Sequence, residues 1–250
     1  MVVIKQTNLN LVYPRITDYR KKFVNSEDIL KEHFMVPTML PVPEEVQPDV
    51  PRVIAQSKSG HSMLNIALSV ASLTTNYDGT FSLEWERCKV YLEQRCANLY
   101  SLIDTMTEHN NTFVGLVTNV EIDDFCESGL DVLKRALFDS GAKKLGELYD
   151  VACKLTYVYK GRYYINITLE NMREYEVQQY ENGRACIKNE RKHTISAQID
   201  VNDRYAANND RTYISQKEAF DEILRITSNI INNKLEVLVK EGEFAYDECE

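Results

Sequence analysis

The stretch that most constrains this chain runs from Val151 to Leu169. Val151, Cys153, Leu155, Tyr157 and Tyr159 place an apolar or aromatic side chain at every second position. Lys160-Gly161-Arg162 interrupts the pattern, and Tyr163, Ile165, Ile167 and Leu169 resume it. Alternate side chains of a strand point to opposite sides, so a period of two on both arms of a glycine break predicts a β-hairpin with one buried face. A buried face needs a cover. The hairpin is therefore expected in the middle of an antiparallel sheet backed by helices.

The rest of the chain supplies both. Val2 to Tyr13 reads as a strand ended by Pro14, and Ser26-Glu27-Asp28 predicts a short helix to about His33. Five of the six prolines fall between Pro37 and Pro51, which predicts an extended connector. Its apolar residues, among them Val36, Met39, Leu40 and Val42, suit a groove on the sheet. Strands follow over 52–56, 61–68 and 71–77. Ser82 then caps a long helix whose stripe is Trp85, Cys88, Leu92, Cys96, Leu99, Ile103 and Met106. The order then recurs, with a strand from Phe113 to Asp123, a helix from Ser128 to about Phe138, and the hairpin, whose second arm reaches towards Tyr180. After an Asn182-Gly183 turn comes a strand from Ile187 to Val201. A capping box of Ser215 and Glu218 opens the final helix, with Phe220, Ile223, Ile226, Ile230, Leu235 and Leu238 on its apolar face. Each half reads strand, short helix, connector, three strands, long helix. The predicted fold is α+β, with two pseudo-repeated units, 1–111 and 112–250, packed as one body.

A three-stranded meander followed by a long helix resembles the topology of the SecB export chaperone. Pro51-Arg52-Val53-Ile54 before a Ser-Gly turn, and Ile199-Asp200-Val201-Asn202 leading through a polar loop to Ser215, are similar to a sporadically distributed, uncharacterised prokaryotic family near SecB-like folds. That resemblance implies a stand-alone bacterial or archaeal protein, encoded near mobile or defence genes, and it carries over no catalytic residue.

Composition limits the function classes. The formal net charge of −9 repels phosphate backbones and disfavours non-specific nucleic-acid binding. No apolar run is long enough to span a bilayer, and Met1 to Asn10 alternates like a strand instead of reading as a signal sequence. A cytoplasmic protein without membrane contact is expected. The cysteines, at 88, 96, 126, 153, 186 and 249, form no CxxC pair and have no histidine at ligand spacing, so no metal or other cofactor is expected. Phosphate-binding glycine loops, nucleophile elbows and zinc-protease motifs are missing, which weighs against an enzyme without deciding it.

The candidate binding residues fall in two groups. Tyr157, Tyr159, Tyr163 and Tyr164 are the densest part of an unusual tyrosine content, 15 in all. They are either sheet core or anchors for a protein partner or a second copy, because tyrosine gives large contact area at low entropic cost. Asp200, Asp203 and Arg204 lie where a strand ends, a place where carboxylates can work as an acid–base pair or simply solvate a loop. The leading expectation is a non-enzymatic, chaperone-like protein-binding module acting as a homodimer. The alternatives are a hydrolase using Asp200 and its neighbours, and a nucleic-acid accessory protein using Lys188, Arg191, Lys192 and His193.

Overall fold

The computed structural model describes residues 1–43, 45–123, 128–138, 148–179 and 185–246. The strands are β1 (Val2–Val12), β2 (Thr38–Met39), β3 (Val53–Gln56), β4 (Ser62–Ile66), β5 (Val70–Asn76), β6 (Phe113–Ile122), β7 (Ala152–Tyr159), β8 (Tyr163–Gln179) and β9 (Ala185–Asn202). They form one nine-stranded antiparallel sheet in the order β2-β3-β4-β5-β1-β6-β9-β8-β7. The seam is β1 against β6, paired from Val2↔Ile122 to Val12↔Phe113 with one bulge after Ile4. Outward from the seam, one side runs β5, β4, β3 and the other β9, β8, β7.

The helices are α1 (Tyr19–Ser26), α2 (Trp85–Thr107), α3 (Gly129–Phe138), α4 (Arg204–Asn209), α5 (Lys217–Asn229) and α6 (Leu235–Glu241), the last two joined by a π-helical turn, Ile230–Lys234. Alternation along the strands fixes which face they cover. Thr7, Leu9 and Leu11 of β1 are fully buried, as are Leu73, Leu116, Ile167 and Ile199. One apolar cluster joins these strands to Cys96, Leu99 and Ile103 of α2 and to Phe220, Ile223 and Ile226 of α5. Gly242 locks the end of α6 against α3. Its φ of 75° is left-handed, and a side-chain carbon there would sit 1.9 Å from the carbonyl oxygen of Ala136.

Several expectations need correction. The Val151–Leu169 hairpin is real, with Tyr159 opposite Tyr163, but it forms an edge of the sheet and not its middle. Periodicity reports a buried face and says nothing of which strand lies alongside. The first helix precedes Ser26 instead of starting there, because Tyr19 and Phe23 form its buried face, and Glu27–Leu30 is a 3-10 turn. Ser82 does not cap α2; its hydroxyl donates to the Gly79 carbonyl inside a 3-10 turn, and Glu84 takes the cap position. Nor does Ser215 cap α5, since Gln216 is the N-cap.

The proline-rich connector follows the sheet edge rather than a groove on its face. Met35 donates to the Gln56 carbonyl, Thr38–Met39 pairs with Val53–Ile54, and Leu40 donates to Arg52. The chain then folds around the buried guanidinium of Arg52, which donates to the carbonyls of Gln47, Val50, Val46 and Pro43. A proline-rich segment cannot satisfy its carbonyls in a ladder, and one arginine fork does so instead. Tyr180, the Asn182-Gly183 turn, Cys126 and Cys249 lie outside the described residues, as does the side chain of Cys186.

Candidate functional site

The structure divides the predicted tyrosines between the two sides of the sheet. Tyr159 and Tyr163 are buried on the helical side. Tyr157 packs against Phe244 with ring centroids 4.8 Å apart, and Tyr246 meets Tyr159 edge-on, also at 4.8 Å. The segment after α6 thus covers the aromatic side of β7. The Tyr159 hydroxyl accepts from Arg225 of α5 at 3.3 Å. Tyr164 faces the other way, where Tyr205 of α4 meets it edge-on at 5.2 Å. The four rings do not form one surface.

Asp200, Asp203 and Arg204 are also separated. Asp200 lies on the open face and accepts from Asn166 and Asn202. Arg204 is exposed, its guanidinium 5.5 Å from the Phe113 ring. Asp203 is fully buried on the helical side. Its carboxylate accepts from the Val114 backbone at 2.7 Å, the Tyr213 hydroxyl at 2.7 Å and the Ser215 hydroxyl at 2.5 Å. Arg162 in turn donates to the Tyr213 hydroxyl. Burial pushes the Asp203 carboxyl up, against the lowering pull of those three donors. The network ties the loop before α5 to β6 and to the β7–β8 turn, which is a fastening role. His193 is far up β9, opposite Arg173 and paired with Glu190 at 2.9 Å. Arg191 meets Glu176, and Lys192 meets Asp123 at 2.9 Å, so acidic neighbours compensate this basic stretch. The side chain of Lys188 lies outside the described residues. Among the described residues no group of three or more His, Cys, Asp or Glu is placed to hold a metal ion. No helix among them is long and apolar enough to cross a membrane.

Apolar exposure gathers instead at the opposite edge, where the chain passes from the 3-10 turn into β2. A groove of about 300 Å³ is lined by Phe34, Met35, Val36 and Pro37, together with Glu27, Lys31 and Lys58. Val36 is 89% exposed and Met35 56%. Met39 and Val46 continue the exposed apolar run on the same connector. Phe34 bridges Ser57, so the groove floor is a continuation of the sheet. Unbranched methionine side chains conform to irregular apolar partners. The sequence singles out Val36, Met39 and Val46 of this set but suggests packing in a groove on the sheet, and it gives no notice of Phe34 or Met35. The missed signal was Val36-Pro37. A residue before proline is extended, and proline contributes no donor, so the segment cannot pair along its full length and turns Val36 outward.

The open face is different in character. Across four neighbouring strands, Gln198 donates to Asn119, Asn119 to Gln6, and Gln6 to Asn76, at 3.1, 3.4 and 2.8 Å. This file of amides pairs its donors and acceptors along the face, across the strands. No family model matches the chain, and no curated protein matches it.

Proposed function

We propose that this protein is a non-enzymatic, chaperone-like binding module that holds extended apolar segments of other proteins. The exposed groove at Phe34–Pro37 carries that reading. A soluble fold seldom leaves a valine and two methionines together at a sheet edge unless a partner covers them. The groove lies beside a short, proline-guarded edge, where an incoming extended chain finds apolar side chains at the spacing of its own pleat.

The proposed scaffold is a pair of SecB-like pseudo-repeats joined along β1 and β6. The strand order supports it, because each half continues outward from its seam strand through the last, middle and first strands of its own meander. A long helix follows each meander, α2 in one half and α5–α6 in the other.

The experiment is binding of a permanently unfolded probe, reduced and alkylated α-lactalbumin, followed by fluorescence anisotropy. Wild-type protein is expected to bind saturably. Val36→Asp, a change at an exposed position, is expected to weaken binding about tenfold, which is the effect of losing about 1.4 kcal/mol. Wild-type protein that fails to bind, or a Val36→Asp variant that binds equally well, overturns the reading.

A further inference from the structure

The β3–β4 turn meets α2 in a cluster that the groove does not use. The Tyr91 hydroxyl lies 2.6 Å from the hydroxyl of Ser59 and 3.2 Å from those of Ser57 and Ser62. Ser62 is held in turn by Thr75 at 2.8 Å. Burial opposes ionisation of this phenol, but the three seryl hydrogen bonds and the Arg95 charge outweigh it and lower its pKa. The Arg95 guanidinium carbon sits 3.4 Å from the centre of the Tyr91 ring. The rings of Phe81 and His61 meet the Tyr91 ring edge-on at 5.4 and 6.0 Å.

Arg95 is the unusual member. It is 8% exposed, yet no carboxylate lies within ion-pair distance of it among the described residues. It donates to the Tyr91 carbonyl and the Gln94 side chain, both at 3.1 Å, and its Nε has no hydrogen-bond partner. Stacking on a tyrosine offsets only part of the cost of burying a cation. Arg87, Tyr91 and Arg95 are four residues apart and so share one stripe of α2. Beside them opens a shallow recess of about 500 Å³ with Phe81 and Val90 as its apolar walls. Glu86 is at its rim, 3.8 Å from Lys89 and within reach of Asn232.

We propose that this recess is a second binding site, for a small aromatic carboxylate. The ring lies against Phe81 and Val90, and the carboxylate supplies the counter-charge that Arg95 lacks, with Arg87, itself 3.8 Å from Glu84, as the second cation. A guanidinium fork matches a carboxylate in shape as well as charge. The site shares no lining residue with the groove at Phe34–Pro37 and stands without it.

The test uses 2-naphthoate as probe, with its own fluorescence as readout, and 2-naphthamide and inorganic phosphate as controls. Saturable naphthoate binding is expected, weakened at least about tenfold in Arg95→Gln and in the uncharged amide. Phosphate alone is expected to compete poorly, because it offers no ring. Arg95 is buried, and its loss can disturb the fold. Val90→Asp therefore provides an independent check, since it places a negative charge at an exposed wall position and is expected to weaken naphthoate by a similar factor. Equal binding of naphthoate and naphthamide overturns the proposal. So does unchanged binding in Val90→Asp, or no binding at millimolar probe.

Discussion

Asp203 shows how a single side chain decides the state of a whole loop. Three donors converge on it, so Asp203→Ala would strand the Val114 N–H and the Ser215 hydroxyl in a buried site and deprive the half-buried Tyr213 hydroxyl of its acceptor. Unfolding in urea is expected to show a loss of about 3 kcal/mol. The pH dependence has a definite sign. Burial raises the folded pKa above the ordinary 3.8, so the folded protein holds this proton more tightly than the unfolded chain does. Stability at this site is then greatest below the ordinary value and falls as pH rises through the raised one. The stability difference between wild type and Asp203→Asn is expected to shrink across that window, and a flat difference would rule the account out. Glu222 behaves oppositely. Its hydrogen bond with Arg225 holds the carboxyl below the ordinary 4.5, so its contribution is present at neutral pH and lost in acid. Neither behaviour was legible in sequence, where Asp203 and Asp200 look alike. Val201 and Asp203 share one side of the strand with Ile199, and Asp200 has the other, but Tyr213 and Val114 reach Asp203 only through the fold. Arg87, Tyr91 and Arg95 were legible as a four-residue spacing, yet lay in the shadow of the apolar stripe one position further round the helix.

The elements differ in how much surrounds them. β8 meets β7 only as far as Glu170, and β9 meets β6 only as far as Ile195. Beyond those points Asn171–Gln179 and Ala185–Thr194 pair with each other alone among the described residues. They make a two-stranded ribbon about 30 Å long, at about 3.3 Å per residue. Two bulges interrupt it, and Tyr149 braces its base through a 2.7 Å hydrogen bond to Tyr175. α3 packs against its base, where Gly129 meets Thr194, but the outer part has no third strand among the described residues, and such a ribbon is marginal. Amide exchange is expected to be at least about a hundredfold faster at Tyr175 and Val177 than at Ile165 and Ile167 of the same strand, a difference of about 3 kcal/mol in local opening. Equal protection along β8 would contradict this. The period-two pattern in the sequence found the strand from Tyr163 to Leu169 because that part has a buried face. It faded beyond Leu169 because the ribbon has none. The capping serines were informative for a related reason. Ser82 and Ser215 marked where helices begin to within a few residues, although their hydroxyls serve Gly79 and Asp203 instead of the helix ends.

The molecule as a whole depends on the seam between β1 and β6. Asn111 sits at one end of it, buried, accepting from the Ser215 backbone and donating to Asp104. Thr112 donates to Val12, the last residue of β1. The covalent link just before Asn111 contributes little that these contacts do not. Fragments 1–109 and 110–250, expressed together, are expected to co-purify as a folded complex, whereas either alone exposes an edge strand and one side of the common core. Two independently soluble, folded fragments would show that the seam is incidental. The α+β class and most of the strands and helices were readable in the sequence from turns, caps and periodicity. That the strands join in one sheet with β1 beside β6 was not, because no local pattern encodes which edge a strand presents.

The position of β1 also bears on synthesis. Val2–Val12 leaves the ribosome ahead of both its partners, β5, about 70 residues later, and β6, more than 100 residues later. Until β5 emerges, an apolar, alternating strand is left with two open edges, and until β6 emerges it keeps one. Non-local pairing of this kind is slow, and it leaves nascent chains vulnerable to aggregation. Translation that stalls between Asn76 and Phe113 would therefore release a chain more prone to clump than the one that includes β6.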